Sequence, residues 1–130
     1  MLLLDTHVLL WMVLDDPRLS RRGRSEIEKA DRLVYSIASF WEIAIKLSLP
    51  KYRRDLPLPT AWHQELLGEL REIGSVRLEI QPEHCRRLQD LPRYHRDPFD
   101  RMLIAQAQTE NLSILSADKR FKQYGVKVVW

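Results

Sequence analysis

Short apolar runs alternate with segments of helical period along this chain. Met1 to Leu4 is an apolar run that stops at Asp5, as a short buried strand would, and His7 to Leu14 continues as a helix broken at Asp16-Pro17. Ser20 to Ala30 is polar and helical in period, and the β-prone run Leu33 to Tyr35 completes a β-α-β unit. Ser36 to Leu49 reads as a strongly apolar helix closed by Pro50, with a basic, proline-containing loop from Lys51 to Pro59 after it. Thr60 to Ile73 is an amphipathic helix stopped by Gly74, Val76 to Ile80 alternates like a strand, and Pro82 to Leu91 is a helix with proline in its first turn. Pro98 to Glu110 is a further helix, Leu112 to Leu115 a strand, Lys119 to Gln123 a helical turn, and Val126 to Val129 a last strand. This alternation predicts an α/β fold, a three-layer α/β/α arrangement around a mainly parallel sheet, in a single domain over residues 1–130.

In such sheets the functional crevice lies beyond the carboxyl ends of the strands. Asp5 directly follows the first strand, and Asp118 stands three residues after Leu115. Glu42 lies in the first turns of the helix after the second strand, while Asp97 and Asp100 open the helix that starts at Pro98. Each acid has an ordinary explanation, because carboxylates cap helix N-termini and favour the positive end of the helix dipole. Asp97-Pro98-Phe99-Asp100 fits a cap, a proline at the first helical position and an acid at the third; Ser39-Phe40-Trp41-Glu42 has capping-box spacing. Gathered in one crevice, however, Asp5, Glu42, Asp100 and Asp118 would repel and raise one another's pKa unless a cation neutralised them. Oxygen-only ligands point to Mg²⁺ or Mn²⁺, and a divalent ion that polarises an in-line water is suited to phosphodiester hydrolysis.

Composition narrows the alternatives. The chain is 45% apolar and 30% charged, as in a globular protein, and its single cysteine, Cys85, excludes an internal disulfide or a multi-cysteine zinc site. The apolar start lacks a basic leader and is interrupted by Asp5 and His7, so a cytoplasmic protein with no membrane span is expected. A net charge of +3 permits a polyanionic partner without demonstrating one. There is no GxGxxG or P-loop sequence. A phospho-acceptor receiver domain, which also gathers aspartates at a sheet edge, is disfavoured: Asp5 is followed by Thr6, and Leu33 to Tyr35 leads into no aspartate.

Five segments carry a family resemblance: MLLLDTHVLLWMVLDDPRLS, SIASFWEIAIKLSL, HRDPFDRMLIAQA, LSILSADKRF and YGVKVVW. In order and spacing they resemble PIN domains, specifically VapC-type toxins, with the weakest match between Lys51 and Arg93. The resemblance implies a three-layer α/β fold, Mg²⁺- or Mn²⁺-dependent endoribonuclease activity, and inhibition by a cognate VapB-type antitoxin. It also implies that Asp5, Glu42, Asp100 and Asp118 form the acidic quartet. Asp100 is read as the direct ligand and Asp97 as its helix cap or supporting neighbour. The alternative is a non-catalytic module that binds RNA or a partner in the same crevice. DNA is disfavoured as substrate by the resemblance alone.

Further candidates surround the acids. Thr6 and Ser116 adjoin two of them and could orient a carboxylate or a metal-bound water, or serve simple turn or capping duty. Lys46 is one helical turn after Glu42, placed to reach a phosphate or to form an exposed i, i+4 pair. Basic groups at Arg18 to Arg24, Lys51 to Arg54, Arg93 to Arg101 and Lys119 to Lys122 could track an RNA backbone, with Arg96 and Arg101 the best placed. The histidines show no ligand spacing and receive no chemistry, though His95 lies near enough to contact substrate. Phe40, Ile43, Ala44 and Leu47 form one helical stripe and Trp41 and Ile45 another; the resemblance to dimer-forming toxins implies a homodimer interface on the second, and a helix buried on both sides within one subunit is the alternative.

Overall fold

A computed structural model describes residues 1–130. Five strands, β1 (Leu2–Leu4), β2 (Leu33–Ser36), β3 (Val76–Leu78), β4 (Ser113–Leu115) and β5 (Val128–Val129), pair in the order β3-β2-β1-β4-β5, and every pairing is parallel. The helices are α1 (Thr6–Val13), α2 (Arg21–Lys29), α3 (Ile37–Ser48), α4 (Pro50–Arg53), α5 (Trp62–Glu72), α6 (Pro82–Gln89) and α7 (Pro98–Glu110), with a 3₁₀ turn over Lys119–Tyr124.

Strand alternation sorts the core into two halves. Leu2, Leu4, Leu33, Tyr35 and Leu115 join α1, α3 and α5 through Val8, Leu9, Phe40, Ile43, Leu66 and Leu70. Their sequence neighbours Leu3, Val34 and Ile114 point to the opposite face, where Leu103, Ile104, Ala107 and Phe121 cover them. Strands buried on both faces explain why the runs read as continuously apolar. Each fully buried leucine contributes about 1.5–3 kcal/mol relative to exposure, so a charge placed in β1 would unfold the centre of the sheet.

The path runs from β1 out to β3 on one side and returns to β4 on the other side of β1. The switch therefore lies between β1 and β4. Leu4 is in register with Leu115, and the Asp5 amide donates to the Leu115 carbonyl at 3.1 Å, which carries the pairing one residue past the strand end. The segments that follow β1 and β4 consequently leave the sheet side by side, where open α/β sheets form their crevice.

Three local expectations change. The stretch after Pro50 opens with a helix, α4, because Leu49 turns extended and proline, which has no amide hydrogen to lose, takes the first helical position. The cap of α3 is Ser36, whose hydroxyl accepts the Ala38 amide at 3.1 Å, so Ser39 lies inside the first turn and the capping-box reading fails. The third strand ends at Leu78 rather than Ile80, because only Val76 to Leu78 find partners on β2. Gly74 stops α5 as expected, at φ +67°, a conformation a side chain would strain.

Candidate active site

Asp5 is the residue between β1 and α1, and its extended backbone places the side chain over the sheet edge instead of onto the helix amides, which it does not cap. It is almost wholly buried. The Ser116 hydroxyl donates to Asp5 Oδ2 at 2.7 Å while accepting the Asp118 amide at 3.0 Å, so one serine ties the ends of β1 and β4 together. Asp5 Oδ1 has no hydrogen-bond partner. Burial pushes the Asp5 carboxyl up, against the opposing pull of Ser116.

Glu42 enters from α3, one turn past its start, and is also buried. Its Oε2 pairs with Lys46 Nζ at 2.8 Å, and its Oε1 is left without a partner. The Lys46 pair is therefore not the exposed pair expected from spacing: the Glu42 side chain is 3% accessible and the Lys46 side chain 24%. Burial opposes the Lys46 charge, yet the hydrogen bond to Glu42 and the surrounding carboxylates raise its pKa.

Asp97 and Asp100 divide the work at the head of α7. Asp97 Oδ1 accepts the amides of Phe99 at 2.8 Å and Asp100 at 3.1 Å, which is the helix cap. Asp100, one turn in, turns toward the acids. Its carboxyl is pushed up to about 8 by burial first, then by the charges of Asp5, Asp97, Glu42 and Asp118. Asp118 behaves in the opposite way. Burial works against its charge, but the Arg120 side chain and amide together with His95 hold it down to about 2.

The residue matching in PIN domains covers nearly the whole molecule: the family model for the PIN domain aligns with residues 2–127. The chain belongs to the PIN domain family. A relative, Ribonuclease VapC22 of Mycobacterium tuberculosis, is 28% identical over 123 residues, covering 94% of this chain and 90% of the relative. Among solved structures, VapBC2 from Rickettsia felis bound to a promoter DNA fragment superposes with a TM-score of 0.70 at 12% identity, over 98% of this chain and 96% of that one. FitAcB from Neisseria gonorrhoeae superposes with a TM-score of 0.69 at 17% identity, over 100% and 97%. These likenesses establish the fold as the three-layer PIN architecture anticipated from the strand and helix pattern.

In this PIN domain the crevice suits a divalent cation. Asp100 lies within electrostatic reach of Asp5, Glu42 and Asp118, and two buried oxygens nearby, Asp5 Oδ1 and Glu42 Oε1, have no donor to satisfy them.

The residues around the acids sort differently from expectation. Thr6 donates to the Ser39 hydroxyl at 2.9 Å and so pins α1 to α3 rather than orienting a carboxylate. Arg96 is exposed on the loop beside the crevice. Arg101 does not face substrate: it is buried, and its guanidinium donates to the carbonyls of Pro92 at 2.8 Å and Leu91 at 3.2 Å. A helix position facing inward cannot be distinguished by charge alone, and here the carbonyls of the α6–α7 connection solvate the cation. Sequence spacing also missed His95, which is buried among the acids with Nε2 2.9 Å from Asp100 Oδ2 and 3.2 Å from Asp118 Oδ2. Its place two residues before the Asp97 cap was the available signal.

No helix is long and apolar enough to cross a membrane. On α3 the second stripe lies open: Trp41 is 58% accessible, Ile45 39% and the following Leu49 41%, with Phe99 edge-on to Trp41 at 5.0 Å.

Proposed function

We propose that this chain is a VapC-type toxin, a Mg²⁺- or Mn²⁺-dependent endoribonuclease that hydrolyses RNA phosphodiesters in the cytoplasm. The observation that carries this reading is the pair of buried, partnerless oxygens on Asp5 and Glu42 within a crevice of four acids. Asp5, Glu42, Asp100 and Asp118 would hold the cation. When bound, the ion supplies Lewis acidity toward the phosphate and lowers the pKa of a coordinated water.

The remaining residues prepare the site. Ser116 orients Asp5 and sets the Asp118 backbone beside it. Lys46 partly neutralises Glu42 and lies at the crevice rim, where its ammonium can meet a substrate phosphate. Arg120 holds Asp118 ionised and is itself well exposed, which places a guanidinium where a phosphodiester backbone would enter. The Asp97 cap fixes the first turn of α7 and with it the direction of Asp100.

Partners follow from the same reading. Ribonuclease VapC22 is the named activity of the 28% identical relative, and the fold neighbours include toxin-antitoxin assemblies, one from Klebsiella pneumoniae. A groove of about 510 Å³ has an apolar floor of Leu10, Trp11, Leu14 and Leu56 with Asp15, Asp16, Arg18, Lys46 and Asp55 also lining it, which suits an amphipathic segment of a VapB-type antitoxin. The open face of Trp41, Ile45 and Leu49 supports pairing with a second copy.

The test is RNA cleavage by the purified chain in Mg²⁺ or Mn²⁺ beside Asp5→Asn, followed by sequencing of RNA ends after brief expression. Cleavage by the wild type that is lost in the folded variant is expected. An Asp5→Asn protein that cleaves as the wild type does would overturn the assignment.

A further inference from the structure

His95, Asp100 and Asp118 present nitrogen and oxygen atoms that all lie within 4.8 Å of one another, close enough for three ligands of one ion. The hydrogen bonds of the imidazole argue for a different role. Nδ1 accepts the backbone amide of Asp97 at 3.1 Å, and an amide nitrogen is always the donor. Nδ1 therefore carries no hydrogen, and the ring's proton resides on Nε2, the atom that faces the two carboxylates. A protonated nitrogen has no lone pair for a metal.

We propose that His95 is a positioning residue whose Nε2–H braces Asp118 against Asp100, leaving an all-oxygen cation site. This rests on the metal-site reading above. The hydrogen bond runs to Asp118 Oδ2 at 3.2 Å, and Asp100 Oδ2 lies 2.9 Å from the same nitrogen. One N–H thus joins an acid from the β4 end to an acid from the first turn of α7, two segments that approach only through tertiary structure.

The ring is held for that task from every side. Its plane lies 30° from that of Phe121, with centroids 6.1 Å apart. The His95 amide donates to the Tyr124 hydroxyl at 2.7 Å. Arg101 fastens the connection that carries His95 through the Pro92 and Leu91 carbonyls. The Asp97 amide orients Nδ1 while the Asp97 side chain caps α7, so the brace and the helix start are set by one residue. An imidazole fixed this way cannot turn to offer Nδ1 without giving up that amide.

The test is long-range ¹H–¹⁵N correlation of the His95 ring in the full chain, metal-free and at saturating Mg²⁺, with calorimetric Mg²⁺ affinities of the wild type, His95→Gln and His95→Ala. The brace predicts a hydrogen on Nε2 in both states. It also predicts that His95→Gln, which keeps an N–H at similar reach, binds Mg²⁺ within ~3-fold of wild type while His95→Ala binds ~10–100-fold more weakly. A hydrogen on Nδ1 in the metal-free protein, or loss of the Nε2 hydrogen on Mg²⁺ binding, overturns the proposal. So does a folded His95→Ala variant with wild-type affinity. Should His95→Ala fail to fold, the wild-type spectra and the glutamine variant still decide. A wild type that binds no Mg²⁺ refutes the metal-site reading instead, and the metal-free spectrum then judges the hydrogen position alone.

Discussion

Replacing Asp100 with asparagine should make the metal-free protein more stable while abolishing its response to Mg²⁺. Asp100 keeps its proton in the folded state up to about pH 8, whereas the unfolded chain releases it near 3.8. Between those values the folded state binds the extra proton, so the stabilising contribution is complete below 3.8 and is lost as pH rises through about 8. At pH 7 the environment has about three pH units over which it disfavours the anion; at about 1.4 kcal/mol per unit this costs about 4 kcal/mol. Shared titration with Asp5, Glu42 and Asp118 spreads that cost, giving about 2–4 kcal/mol for Asp100→Asn. The amide cannot ionise and still offers an oxygen toward His95. For a chain of this length the gain corresponds to about 10 °C in Tm. The assay is thermal unfolding in EDTA from pH 4 to pH 9, repeated in Mg²⁺. The variant should match wild type near pH 4, exceed it at pH 7, and gain nothing from Mg²⁺. Equal pH slopes for both proteins, or a variant less stable at pH 7 in EDTA, would refute the reasoning.

Other substitutions separate support from chemistry. Arg101→Met should cost about 2–4 kcal/mol in urea unfolding, because the Pro92 and Leu91 carbonyls lose a charged donor inside the protein. Lys46→Met leaves Glu42 without its only partner and should lower stability by about 1–3 kcal/mol in EDTA, with most of the loss restored by Mg²⁺. Trp41→Glu should reduce the mass measured by light scattering to that of one chain while leaving the far-UV circular dichroism unchanged, since the side chain is more than half exposed in the single subunit.

The sheet was legible because its strands are buried on both faces and so stand out as uninterrupted apolar runs between polar helices. Asp5 and Asp118 were legible for a related reason: a carboxylate at the end of a parallel strand has few places to go but the crevice. Asp97 and Asp100 stayed ambiguous in sequence, and it is the bonds from the Phe99 and Asp100 amides to Asp97 Oδ1 that make Asp97 the cap. What sequence could not show is which way a charged helix residue faces. Arg101 precedes the apolar stretch from Met102 to Ala105, and its inward turn depends on carbonyls in the α6–α7 connection, ten residues earlier. His95 was hidden because its ring meets Asp118 and Asp100 only through tertiary structure, an arrangement that imposes no spacing. Ser36 and Ser39 are both plausible caps by type, and the pairing of Ser36 within β2 decides between them.

The bond from Ser116 to Asp5 spans 111 positions of sequence, and β4 must reach the central strand before it can form. A growing polypeptide that has emerged only as far as Asn111 already carries Asp5, Glu42 and Asp100 yet lacks the strand that draws them to Asp118. Closing a contact this distant in sequence costs loop entropy that local helix contacts do not, so the crevice draws on the most non-local pairing in the sheet. A chain arrested before Ser113 therefore holds three of the acids without the strand that would complete the crevice around them.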